Sequence, residues 1–194
     1  MKRYLVFSFA LLWFGGNGGS SLVLGLQGVS KPALKGMRVV AFLPFEISEA
    51  NQLALKNQPL LEDQLTLWIM HGDSARSFVF PGGIRLQLKN SKLADDQILR
   101  IPPDSLGKLF SAEAVLFTRI VRLYESEGSN QTTRQIRASK YVRRGVELLV
   151  EFRLVEAASG KALWKHKIQR FAADVPEVIM QAGQAAAEAW PLKR

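Results

Sequence analysis

The chain has 194 residues, no cysteine, and 26 lysines and arginines against 17 acidic residues, a formal charge of +9. The missing thiols exclude disulfides, thiolate metal sites, thiol nucleophiles and acylation at a lipobox cysteine. The positive surplus is compatible with anionic lipid, an acidic cell-wall polymer, nucleic acid or an acidic protein partner, and equally with a merely solvated basic surface.

Lys2 and Arg3 precede an eleven-residue apolar run, Tyr4 to Phe14, and then a small-residue segment, Gly15 to Ser21. That order is the order of an export signal. Eleven residues are too few for a permanent span, which needs roughly 20, unless the glycines are bridged to include Leu22 to Leu26. The reading is a signal peptide and linker over residues 1–28, cut between Gly19 and Gly28, with an uncleaved anchor as the alternative. Cleavage there leaves residues 29–194, enough for one domain with its own core. It also leaves 24 basic against 17 acidic residues, a charge of +7, because Lys2 and Arg3 are lost. After export to a periplasm, nucleic acid fits least among the partners.

Arg38 to Phe45 is an apolar run ended by Pro44, as expected of a strand buried on both faces. Pro59 then opens a predicted helix with Leu61, Leu65, Trp68 and Ile69 on one face, Glu62 and Asp63 in its first turn, His71 in its last and Gly72 beyond. Ser77 to Pro81 reads as a short strand, and Ile84 to Leu93 as helix or irregular chain. Pro102-Pro103-Asp104-Ser105 precedes a short helix capped by Asp or Ser.

A long strand follows from Ala114 to Tyr124. Residues 125–144 are polar and basic and read as an extended loop. The clearest pattern comes next: Val146, Leu148, Val150, Phe152 and Leu154 alternate with Glu147, Glu151 and Arg153, the period of a strand with one buried face. Ala157-Ala158-Ser159-Gly160 supplies a reversal, and Ala162-Leu163-Trp164 starts the returning strand. Asp174, Pro176 and Glu177 make a capping box for a last helix whose stripe is Val178, Ile179, Ala182, Ala185, Ala186 and Ala189. The expected class is α/β, an α+β two-layer fold. Its mixed sheet has a central strand near 38–45, helices packed on one side, antiparallel strands 114–124, 145–156 and 161–171, and a C-terminal helix 175–190.

Several segments in this order look familiar. They are Val40 to Phe45 (Val-Ala-Phe-Leu-Pro-Phe), a short strand ending in Phe80-Pro81, Leu106 to Leu116 (Leu-Gly-Lys-Leu-Phe-Ser-Ala-Glu-Ala-Val-Leu), and Leu154 to Trp164 (Leu-Val-Glu-Ala-Ala-Ser-Gly-Lys-Ala-Leu-Trp). Together they resemble the CsgG-like and TolB-amino-terminal-like lipoproteins of the bacterial envelope, over about residues 38–171. The resemblance implies an α/β domain and an envelope role by protein contact. Two departures limit it. The cysteine that anchors many relatives is missing, and residues 125–144 lack the alternating apolar pattern, over roughly 9–11 residues per strand, that membrane hairpins require. Neither lipid anchoring nor pore formation carries over.

The sequence shows no catalytic equipment. His71 and His166 are far apart and lack spaced carboxylates, so they read as a helix-end charge and an ordinary strand residue rather than metal ligands. Glu62-Asp63 and Asp95-Asp96 are adjacent pairs whose side chains diverge, which is wrong for an acid/base couple. No nucleophile elbow or phosphate-cradling loop is present. We expect no enzyme, cofactor or metal. The candidate interaction residues are Arg134, Arg137, Lys140, Arg143 and Arg144. They would serve an interaction or assembly module that meets an envelope protein, with a homo-oligomer also compatible, or a transport-accessory module that holds an anionic ligand or lipid.

Overall fold

In a computed structural model the described residues are 37–48, 52–90, 95–128 and 143–192. The expected export segment lies outside them. No helix among the described residues is long and apolar enough to cross a membrane. Six strands form one sheet: β1 (Val39–Phe42), β2 (Glu46–Ile47), β3 (Ser77–Val79), β4 (Ala114–Gly128), β5 (Arg143–Glu156) and β6 (Ala162–Ala172). The order is β3-β1-β4-β5-β6, with β2 paired on β4. β1 runs parallel to both its neighbours, whereas β4, β5 and β6 are antiparallel. This is the mixed α/β class expected.

Among the described residues five helices accompany the sheet: α1 (Gln52–Gly72), α2 (Pro81–Asn90), α3 (Asp95–Ile98), α4 (Pro103–Phe110) and α5 (Val175–Ala189). They divide between its faces, which corrects the one-sided packing expected from the sequence. On one face Leu61, Leu65 and Ile69 of α1 and Val178, Ile179, Ala182 and Ala186 of α5 pack on Val40, Phe42, Leu116, Val150, Phe152 and Leu154. On the other, Ile84, Leu88, Ile98, Leu106 and Phe110 of the three short helices pack on Ala41, Leu43 and Val115. The cause is in the strands. β1 is apolar at every position, so its alternate side chains need cover above and below, whereas β5 alternates and needs cover on one side only.

Two helix starts differ from expectation. α1 begins at Gln52, seven residues before Pro59, so Glu62 and Asp63 are interior and no acid stands in its first turn. Proline removes one helical N–H. Leu55, whose carbonyl would have received it, is 54 % exposed, so water can replace the bond. α4 is capped by Pro102 with no side-chain bond, and Pro103 takes the first helical position, where the missing N–H costs nothing. The last helix starts as read: Asp174 accepts from the Glu177 N–H at 2.9 Å, and Glu177 accepts from the Ala173 N–H at 3.1 Å.

The β-ribbon is longer than expected. Glu127 pairs with Arg144 and Gly128 with Arg143, so β4 and β5 run well into the segment read as loop. Each ribbon junction carries one extra residue. Register shifts past Ile120 in β4 and again past Leu154 in β5, where Leu154 pairs with Trp164 but Val155 pairs with Ala162. Leu163 is the surplus residue. This bulge lets the consecutive Leu163 and Trp164 both enter the core, at 3 % and 7 % exposure.

The chain end is fastened by a buried polar cluster. Arg76 donates to both oxygens of Asp73, at 2.9 and 2.7 Å, to the Leu192 carbonyl at 2.6 Å and to the Met37 carbonyl at 3.0 Å. Asp73 also accepts from the Trp190 indole N–H at 2.9 Å. Trp190 in turn meets Trp164 edge-on, with centroids 5.6 Å apart.

Candidate functional site

α2, α3 and α4 cover only the β3–β1 side of their face and the start of β4, because they are short and their apolar residues meet Ala41, Leu43 and Val115. Beyond them, among the described residues, the face lies open across β4, β5 and β6. Its side chains are the polar members of the alternation, and the register arranges them in rows. One row is Glu46, Arg119, Glu151 and Lys167, consecutive Cα partners on β2, β4, β5 and β6. Its charges alternate in sign. Lys167 reaches Glu151 at 3.0 Å and Arg119 reaches Glu46 at 3.8 Å, while Arg119 also donates to the Ser48 hydroxyl. Further along, Glu147 accepts from the Tyr124 hydroxyl and from Gln169, each at 2.6 Å. That carboxylate raises the Tyr124 pKa, since it holds the phenolic proton.

The neighbouring row is different. Phe117, Arg153 and Lys165 are partners on β4, β5 and β6. The Arg153 guanidinium carbon lies over the Phe117 ring, 4.5 Å from its centre, a cation–π contact. Arg153 and Lys165 are both exposed, and among the described residues neither has an ion-pair partner. These rows and Leu99 line a groove of about 720 Å³.

Arg134, Arg137 and Lys140 lie outside the described residues, and Arg143 and Arg144 begin β5 instead of occupying a loop. Sequence reasoning saw Glu151 and Arg153 as the polar side of a strand but did not pair them with Lys165 and Lys167. That pairing depends on the surplus residue at Leu163, which alternation alone does not reveal.

His71 closes the last turn of α1, as read. His166 stacks on Trp164 at 5.4 Å, and burial, with Arg170 nearby, lowers its pKa. Glu62 is buried and takes bonds from the Phe45 N–H at 2.9 Å, from Gln58 at 3.1 Å and from both ends of the Arg85 guanidinium at 2.5 and 2.6 Å. It ties the chain after β1 to α1 and α2, and its neighbour Asp63 points to solvent. Among the described residues no group of three or more potential ligands could hold a metal ion.

No family model matches the chain, and no curated protein matches it in sequence. Solved structures share its fold. The lipoprotein GNA1162 from Neisseria meningitidis superposes with a TM-score of 0.55 at 15 % identity, covering 78 % of this chain and 96 % of that one. The PelC dodecamer from Paraburkholderia phytofirmans gives 0.54 at 15 % identity, covering 90 % and 99 %. A second crystal form of that dodecamer gives 0.50 at 12 % identity. At these identities the likeness is one of fold.

A second hollow, of about 690 Å³, lies at the start of β4 and includes Asp104, Glu113 and Glu156. Glu113 is structural there, accepting from the backbone N–H of Arg38 and from that of Val39 at 3.1 Å. These two bonds, with the Arg38 charge, lower its pKa below the ordinary 4.5. A depressed carboxylate stabilises the fold above its unfolded pKa, and the contribution fades as pH falls through the folded value. Unfolding midpoints in urea taken from pH 7 down to pH 3 should therefore drop less steeply for Glu113→Gln than for the wild type, starting from a lower value at pH 7. Parallel curves would show that Glu113 contributes nothing.

Proposed function

We propose that the chain is an exported, non-enzymatic protein of the bacterial cell envelope that works as an interaction or assembly module, related to the CsgG-like and TolB-amino-terminal-like domains. The observation that carries this reading is the fold shared with a lipoprotein and with a dodecameric protein over 96 % and 99 % of their lengths. The export-type start, Lys2 and Arg3 before Tyr4 to Phe14, supports the location. The half-sheet supports the mode of action, because among the described residues no helix or strand covers its charged face, which presents side chains to a partner instead of enclosing a substrate. Self-association fits the same surface and the dodecameric relative.

Fractionation of the source cells, sequencing of the mature amino terminus and mild cross-linking test this reading together. The expected result is a periplasmic or membrane-associated chain that has lost residues up to a point between Gly19 and Gly28 and cross-links to an envelope protein or to itself. A soluble cytosolic chain that still begins at Met1, or an exported chain that cross-links to nothing, would overturn it.

A further inference from the structure

We propose that the row Phe117–Arg153–Lys165 is the anchor of a binding site for an acidic peptide segment, one that places a carboxylate beside an apolar side chain. The inference rests on the reading of the protein as an interaction module and names the chemistry of its partner. Arg153 and Lys165 are direct cross-strand partners on the open face. Like charges in that position repel, and folding alone gives no reason to keep them together. Among the described residues the other carboxylates of the face, with Arg119 and Lys167, are already engaged: Glu46 with Arg119, Glu151 with Lys167, and Glu147 with Tyr124 and Gln169. The unspent charge of the groove is therefore concentrated on two adjacent side chains.

Their surroundings select the ligand. Phe117 holds the guanidinium carbon of Arg153 over its ring, and the guanidinium N–H groups, which have no hydrogen-bond partner among the described residues, can meet a carboxylate with two parallel bonds. Leu99, at 36 % exposure, and the half-buried Phe117 offer apolar surface in the same groove. Glu46 and Glu151 flank the two cations only one row away. A continuous polyanion or an anionic membrane would press negative charge on those carboxylates, and lipid surfaces are held by clusters of about 4–8 basic residues rather than two. A polypeptide carrying one or two acids, an apolar residue and backbone donors and acceptors matches both the basic row and its alternating neighbour.

The test uses the full mature chain and fluorescence anisotropy with a labelled eight-residue peptide that carries one glutamate beside a leucine among serines and glycines. We expect saturable binding that weakens at least tenfold when glutamine replaces glutamate in the peptide, and again at least tenfold in Arg153→Gln and in Lys165→Glu. Lys165→Glu should also raise the melting temperature, since it turns a repelling pair into an attracting one. That result separates loss of binding from loss of fold. Flotation with phosphatidylglycerol vesicles should show no binding. Peptide affinity unchanged by both substitutions, absence of peptide binding, or vesicle binding that Arg153→Gln and Lys165→Glu abolish would each overturn the proposal. Cross-linking to an envelope protein that persists in Lys165→Glu would reject this site while leaving the broader reading standing.

Discussion

Asp73→Ala should destabilise the protein by about 3–5 kcal/mol, the usual cost of stripping one partner from a buried ion pair. Asp73 is 3 % exposed, and its partner Arg76 has a side chain only 7 % exposed. Without the carboxylate, the guanidinium remains buried and loses the acceptor of two of its bonds, and the Trp190 indole N–H loses its acceptor. Trp190 is the larger consequence. It stacks on Phe42 with centroids 6.1 Å apart and meets Trp164 at 5.6 Å, so loosening it reaches the middle of the larger core. Urea unfolding read at constant m measures the loss. Adding Arg76→Met should recover part of it, because the buried charge that the carboxylate balanced is then removed. If the single substitution costs less than about 1 kcal/mol, in the range of an exposed pair, the cluster is solvated and the chain end is held by its aromatic contacts alone.

The second large effect is expected at Gly107, where Gly107→Val should cost about 3 kcal/mol. A Cβ at that position would stand 2.4 Å from the Ala157 Cβ and 2.8 Å from the Ala112 carbonyl oxygen. Neither atom can swing aside: one is the first atom of a side chain in the β5–β6 reversal and the other is backbone. Overpacking of this kind costs about 1–3 kcal/mol for a few added atoms. It outweighs the roughly 1 kcal/mol that alanine would gain over glycine in a helix, so Gly107→Ala should also be destabilising, by less. A Gly107→Ala protein that melts above the wild type would mean that α4 stands off the reversal by more than the contact distance found here.

That contact also shows what was legible in the residues. The Leu106-Gly107 segment and the Ala157 to Gly160 reversal stood out in the sequence as separate motifs, and the structure brings them together, the Ala157 N–H bonding the Glu113 carbonyl at 2.9 Å. Alternation in 146–154 specified β5 and its buried face, and the capping box at Asp174 specified α5. Both signals are local, with a period or a spacing to read. The start of α1 was missed because Pro59 imitates a beginning while the helix tolerates it on an exposed turn. The division of helices between two faces was missed because it depends on which strands need cover twice, a property of the assembled sheet. The groove was half legible: Glu151 and Arg153 were visible as outward residues, but Lys165 joins them only through strand register. The basic residues at 134–144 drew notice by density of charge, and of them only Arg143 and Arg144 lie among the described residues, at the start of β5.

Leu163 acts as the single tooth that sets the phase between two gears. Were it seated opposite Leu154 instead of bulged out, the returning strand would mesh one notch over: Trp164 would fall opposite Arg153 and Lys165 opposite Phe152, and the aromatic nucleus and the basic row would be lost in the same step. Interior and outer face are thus coupled through the place given to one aliphatic residue.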